Sequence, residues 1–186
     1  MTDDIRRDAD ERMSRAVDAL ERDLAAIRTG RAATALVERI PVEYYGTSTP
    51  LNQLASISVP EAHMIVIQPW DRSALGAIEK GILKSDLGLT PNVDGTVVRL
   101  NIPPLTEERR RDLVKLVHKR MEEARVEIRN HRRDVADEIK KALRDGEIGS
   151  DEERREMELL QKLTDGWTTE VERVGKHKEQ EILEVG

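Results

Sequence analysis

Apolar residues in the first thirty positions fall at Ile5, Ala9, Met13, Ala16, Leu20, Leu24 and Ile27. The gaps of 4, 4, 3, 4, 4 and 3 keep all seven on one face of a helix, which predicts a helix from Asp3 to Thr29 with a single narrow seam. Asp3 and Asp4 suit its positive end, and Gly30 is placed to stop it. A longer seam follows Pro103-Pro104 and runs through Leu113, Val117, Met121, Ala124, Ile128, Val135, Ile139 and Ala142. It predicts a second helix about 55 Å long, with Thr106 as N-cap, Glu107 and Glu108 in the first turn and Gly146 as the stop. Ser150-Asp151-Glu152-Glu153 has the spacing of a capping box that opens a third helix. The third seam is Leu160, Leu163, Trp167, Val171, Val174 and Ile182, which makes Trp167 a core residue, and Gly166 and Gly175 weaken that helix slightly.

Between the first two helices the period changes from 3.6 to 2. Ile40, Val42 and Tyr44 alternate, Ile65, Val66 and Ile67 form a short apolar run, and Val98, Leu100 and Ile102 alternate again, so each predicts a strand. A helix is expected from about Arg72 to Ser85, capped by Asp71, with Leu75, Ile78 and Ile82 inward, and Asp94-Gly95 marks a tight turn into the last strand. Trp70, beside Pro69, reads as packing, and Tyr44-Tyr45-Gly46 reads as a strand end.

Composition sharpens this division. All seven prolines lie between residues 41 and 104, and residues 31–104 carry 13 charges in 74 positions against 55 in the other 112. A weakly charged, proline-punctuated insert therefore interrupts a highly charged helical body. The expected fold class is α+β: residues 1–30 and 105–186 form a long three-helix bundle, and residues 31–104 form an inserted small β/α/β domain. Narrow seams cannot stand alone, and three of them can satisfy one another, so a monomer is expected. Two adjacent chain crossings, near Gly30-Arg31 and Pro103–Thr106, describe either a mobile hinge or a fixed elbow.

Candidate chemistry excludes more than it offers. There is no cysteine, so disulfides and thiolate sites are ruled out. His63, His118, His131 and His177 are scattered without metal-ligand spacing, and no phosphate loop or nucleophile elbow is present. No catalytic residue, cofactor or metal is expected. No apolar run approaches membrane-spanning length and the N-terminus has no signal-peptide core, so a cytoplasmic protein without membrane partners is expected. The net charge of −6 conceals an asymmetry: Glu107–Arg133 carries ten Lys/Arg against six Asp/Glu, while Ser150–Gly186 carries six against eleven. Arg125, Arg129, Arg132 and Arg133 stand at i, i+4, i+7 and i+8, one stripe of a helix. A guanidinium fork suits phosphate, which makes the stripe a candidate RNA contact; the same arginines could instead pair with Glu122, Asp137 and acids of neighbouring helices.

An ordered series of short motifs adds a resemblance. Arg28–Ala32 reads RTGRA, Val42–Gly46 VEYYG, Pro50–Ile57 PLNQLASI, Ile78–Lys80 IEK, Ser85–Leu89 SDLGL and Pro103–Arg110 PPLTEERR, followed by Arg129-Asn130 and Arg132-Arg133-Asp134. In this order the chain resembles the ribosome recycling factor family along essentially its whole length, with Gly81 standing where relatives often place alanine. The resemblance implies an L-shaped two-domain molecule of roughly transfer-RNA outline that hydrolyses nothing itself. It implies binding to the large ribosomal subunit after peptide release, and separation of the subunits with elongation factor G and GTP. It assigns Arg28, Arg31, Arg129, Arg132 and Arg133 to ribosomal RNA, joined by Arg125 from the stripe, and Gly30, Arg31, Pro103, Pro104, Leu105 and Thr106 to the hinge. Two other readings share the helical seams: a coiled-coil adaptor or chaperone without an RNA role, and a ribosomal RNA-binding assembly factor that does not split ribosomes.

Overall fold

A computed structural model describes residues 2–184, which separate into two compact units. The first joins residues 2–28 to Glu107–Glu184, and the second spans Thr29–Thr106. Four helices, α1 (Thr2–Ala25), α2 (Leu75–Lys84), α3 (Glu107–Arg144) and α4 (Ser150–Glu184), accompany six strands. The strands are β1 (Pro41–Tyr44), β2 (Thr47–Pro50), β3 (Ala55–Glu61), β4 (Met64–Pro69), β5 (Asn92–Asp94) and β6 (Val97–Asn101).

The first unit is a bundle of α1, α3 and α4. Met121 meets Gly175, Arg125 meets Glu172 and Arg132 meets Gln161, so α4 descends as α3 rises. Every apolar position of the α3 seam, from Leu113 to Ala142, is buried. The α3 C-terminus closes as a Schellman turn: Glu147 N–H donates to the Ala142 carbonyl at 2.9 Å and Gly146 N–H to Leu143 at 3.1 Å, with Gly146 at φ +73°.

Three expectations for this unit are corrected. Helix α1 stops at Ala25 instead of Thr29. Its last turn tightens, with Ile27 N–H bonded to Leu24, and the following Thr29 and Gly30 are drawn into the second unit's packing, so Arg28 lies past the helix end. Helix α4 begins with the Gly149 carbonyl accepting from Glu153 N–H at 3.0 Å, which places Ser150 inside the first turn and not at the cap of a box. The α4 seam is also displaced: Glu156, Thr164, Gly175 and Lys178 join Leu160, Val171 and Ile182 in the interior, while Leu163, Trp167 and Val174 are only half-buried. The displacement has physical causes. Trp167 moves to the seam's edge, where its indole N–H donates to Asp10 Oδ1 at 2.8 Å. Gly175 goes inside because a Cβ there would overlap the Met121 side chain, so the glycine is what lets α4 approach α3. Glu156 is tolerated because Arg6 Nε of α1 stands 2.9 Å from its Oε2, an electrostatic pair without hydrogen-bond alignment.

The second unit holds an antiparallel four-stranded sheet in the order β3-β4-β6-β5 and a separate β1-β2 hairpin. Ile65 and Ile67 of β4 pair with Leu100 and Val98 of β6, and these four, with Ile78 and Ile82 of α2, are fully buried in one core. Asp71 caps a short 3-10 turn, Arg72–Ala74, that leads into α2, its carboxylate accepting from Ser73 N–H. Three strands go beyond the sequence reading: β2, β3 and β5 are short or polar, and β3 and β5 are the sheet's edges, with Pro60 placed at an irregular step between Ser58 and Glu61. Gly81 has a packing role: a Cβ would meet the Pro41 carbonyl at 3.0 Å and Val42 Cγ2 at 3.2 Å, so its absence seats α2 on β1. Trp70 is another correction, since it is 69% exposed and not packed inside.

Both chain crossings are fastened on the second unit's side. Ala62 at the tip of the β3–β4 hairpin accepts from Ala32 N–H and His63 accepts from Ile102 N–H, each at 2.7 Å, while His63 Nδ1 lies 2.9 Å from the Gly30 carbonyl. Gly30 takes φ +75°, and a Cβ on it would meet Leu105 Cγ at 3.1 Å. The RTGRA segment and the Pro103–Leu105 segment are therefore in contact through a glycine.

Candidate nucleic-acid interface

The arginine stripe lies on α3, whose buried seam fixes which residues face outward. Its four members are not equivalent. Arg125 is only 24% exposed in its side chain; its Nε donates to Glu172 Oε1 of α4 at 2.9 Å and its Nη1 to Glu122 Oε2 at 2.8 Å. Partial burial pulls its pKa down, but the hydrogen bonds to Glu172 and Glu122 outweigh it and hold the guanidinium above its ordinary value. Arg129 is half exposed and donates to Glu122 Oε1 at 2.8 Å. Glu122 thus serves two arginines, Arg129 foremost, and its pKa is held below the usual glutamate value.

Further along α3 the pairing changes. Arg132 Nη1 donates to the neutral Gln161 Oε1 at 3.0 Å, and Gln161 Nε2 passes the chain on to Asp165 Oδ1 at 2.8 Å. Among the described residues Arg133 has no hydrogen-bond or ion-pair partner. The alternatives left open by spacing are therefore divided along the helix: Arg125 and Arg129 are acid-paired, and among the described residues no carboxylate is bonded to Arg132 or Arg133. These two border a groove of about 320 Å³ between α3 and α4, with Lys140 as a third cation, Asp137 as the one acid, and Ala136, Met157 and Leu160 as its apolar part. Lys140 was absent from the sequence candidates, although it stands seven and eight residues beyond Arg133 and Arg132, on the same helical face.

Arg28 and Arg31 are exposed, and among the described residues neither has a partner. They belong to different units, Arg28 to the first and Arg31 to the second, separated by the buried Thr29-Gly30 pair. No helix among the described residues is long and apolar enough to cross a membrane.

Fold and site together define a class: a charged three-helix bundle with arginines not bonded to carboxylates on one rod, interrupted by a small, weakly charged sheet domain. Known proteins of this kind match closely. The family profile described as ribosome recycling factor matches residues 20–183. A ribosome-recycling factor of Shouchella clausii is 56% identical over 185 residues, covering 100% of both chains. A solved structure described as the solution structure of the ribosome recycling factor is 49% identical, with a TM-score of 0.74 over 99% of this chain and 98% of that one. A second, describing models for the T. thermophilus ribosome recycling factor and the E. coli elongation factor G bound to the E. coli post-termination complex, is 43% identical, with a TM-score of 0.62 over 100% of both chains. The chain belongs to the ribosome recycling factor family.

Proposed function

We propose that this chain binds the large ribosomal subunit of post-termination complexes and, with elongation factor G and GTP, promotes separation of the subunits and release of mRNA and deacylated tRNA. The observation that carries the reading is its full-length likeness to recycling factors, one of which is placed with elongation factor G on a post-termination complex. The protein acts in the cytoplasm as a monomer and is not itself an enzyme: its contribution is binding and leverage, and GTP hydrolysis belongs to the partner.

Ribosomal RNA contacts fall to Arg28, Arg31, Arg125, Arg129, Arg132 and Arg133, with unequal weights. Arg132 and Arg133 lead, because no carboxylate is bonded to them and they project from a rigid helix. Arg129 must share itself with Glu122, and Arg125 acts chiefly as a clamp between α3 and α4. Docking through phosphates releases counterions, so affinity for the large subunit falls steeply with salt. Gly30, Arg31, Pro103, Pro104, Leu105 and Thr106 form the pivot: Gly30 packs on Leu105 at a backbone conformation other residues resist, and two consecutive prolines deny the second crossing any backbone donor at those positions.

The test is light scattering of post-termination ribosomes with elongation factor G and GTP. The signal should fall only when this protein is added. Co-sedimentation with subunits but no fall would indicate an assembly factor, and self-association without co-sedimentation an adaptor.

A further inference from the structure

The division of the arginine stripe has a counterpart on the neighbouring helix. Arg125 and Arg132 stand seven residues apart on α3, and each donates a hydrogen bond to a side chain of α4, Arg125 to Glu172 and Arg132 to Gln161. Helix α4 is rich in acids, with eleven Asp/Glu in its 35 residues, yet the side chain that meets Arg132 is a neutral amide.

The orientation of that amide is fixed by its partners. Gln161 Oε1 accepts from Arg132 Nη1 at 3.0 Å, and Gln161 Nε2 donates to Asp165 Oδ1 at 2.8 Å. A guanidinium can only donate and an ionised carboxylate can only accept, so the reverse orientation would set donor against donor and acceptor against acceptor. Asp165 therefore turns the amide oxygen toward Arg132, and its bond to the amide polarises that oxygen into a better acceptor. All three side chains are exposed, so these bonds contribute little to the stability of the bundle.

Their effect on Arg132 differs from what carboxylates do elsewhere on the stripe. Glu172 and Glu122 hold Arg125 and Arg129 with opposite charge, which a phosphate would have to displace. Gln161 takes up Nη1 and removes no charge. The Nε–Nη2 edge, the side of the fork that offers two parallel N–H groups, has no other partner among the described residues. A long side chain without a holder would surrender its rotamer freedom only on docking.

We propose that Gln161 is a positioning residue for RNA binding: a neutral acceptor, oriented by Asp165, that holds Arg132 by Nη1 and presents its Nε–Nη2 edge to a phosphate with the charge intact. This rests on the RNA-binding role proposed above for Arg132.

Two substitutions at position 161 separate positioning from a merely structural link between α3 and α4. Gln161→Glu keeps the length and the acceptor but adds a charge that competes with phosphate, whereas Gln161→Ala removes the hold and leaves the charge of Arg132 alone. Large subunits are titrated with each full-length variant at several ionic strengths. Gln161→Ala should bind about threefold more weakly with the salt slope unchanged, the cost of ordering one long side chain on docking. Gln161→Glu should bind about tenfold more weakly with a shallower slope, as the loss of a phosphate contact requires. In the Arg132→Ala chain either substitution should change affinity by less than about twofold, because the group it acts through is gone. A structural link predicts the opposite: Gln161→Glu binds like the native chain, or Gln161→Ala costs as much with Arg132 absent as with it present. Either result overturns the assignment, and so does an equal loss from Gln161→Glu in both backgrounds, which would mark a general charge effect. Native affinity in Arg132→Ala itself would instead refute the phosphate role of Arg132, and the positioning role with it.

Discussion

The two units build their frames from opposite materials. The bundle is charge-dense, and the RNA contacts proposed for it are guanidiniums spaced by the helical repeat. The small unit is charge-poor, and its most exposed features are two aromatic rings on a turn and a strand end. Arginine with no carboxylate bonded to it suits phosphate.

The most severe way to break the comparison is to remove the small unit's frame. Ile78 is fully buried between α2 and the sheet. Ile78→Ala should cost about 2–5 kcal/mol in that unit, by lost transfer energy and a residual cavity. Hydrogen exchange should show the Ile65, Ile67 and Leu100 amides losing protection while those of Ile128 and Ile139 in α3 keep theirs. Equal loss in both sets would mean that the two frames do not stand separately.

Within the bundle the comparison sharpens between two arginines seven residues apart. Arg132→Ala should weaken large-subunit binding by about 1–3 kcal/mol and make the salt slope shallower by about one, as one phosphate contact disappears. Melting should hardly change, since its partner is an exposed glutamine. Arg125→Ala should do the reverse: melting falls because Glu172 and Glu122 lose the cation that joins them across α3 and α4, and the salt slope keeps most of its steepness. Titration at several ionic strengths beside thermal melts decides it. Identical behaviour of the two variants would dissolve the distinction drawn along the stripe.

A gentler perturbation is pH. Glu122 has a lowered pKa in the folded chain because Arg129 and Arg125 hydrogen-bond its carboxylate. Its stabilising effect is present above the unfolded glutamate value and fades as pH falls through the lower folded one. Acidification below about 4.5 should therefore loosen the Arg125–Glu122–Arg129 cluster. Glu122→Gln should remove that part of the acid dependence, seen as a flatter melting temperature against pH in acid. The effect is small because the carboxylate is exposed.

Much of this was legible in the chain itself, for stated reasons. The α3 seam has eight apolar residues at strict helical spacing, and all eight are buried. The core strands β4 and β6 carry dense β-branched residues, so period and propensity agreed. What escaped depended on partners distant in sequence. Edge strands β2, β3 and β5 bury too little to alternate. The α4 seam was misread because Trp167 prefers an edge where Asp10, 157 residues away, accepts its N–H, and because Gly175 is inward only to admit Met121. Trp70 and Tyr45 broke the rule that large apolar residues go inside, and such a break is visible only once neighbours are placed. The stripe was legible as four arginines, but its division was not: Glu172 and Gln161 reach it from another helix.

The smallest expected effect bears on the small unit's own surface. Tyr44 donates to Asp71, and this bond, with burial and the nearby carboxylate charge adding to it, pushes its phenol up to about 12. The neutral phenol is thus favoured in the folded state: the bond's contribution is complete below the unfolded value near 10 and is lost as pH rises through about 12. The chain has only two tyrosines, so Tyr45→Asn leaves Tyr44 as the sole phenol. Ultraviolet titration of that variant should show a midpoint above 10 but lower than in the native chain, since the part that Tyr45 contributes is gone, and adding Asp71→Ala should bring it back toward 10. Because the pair is open to solvent, little stability should change hands.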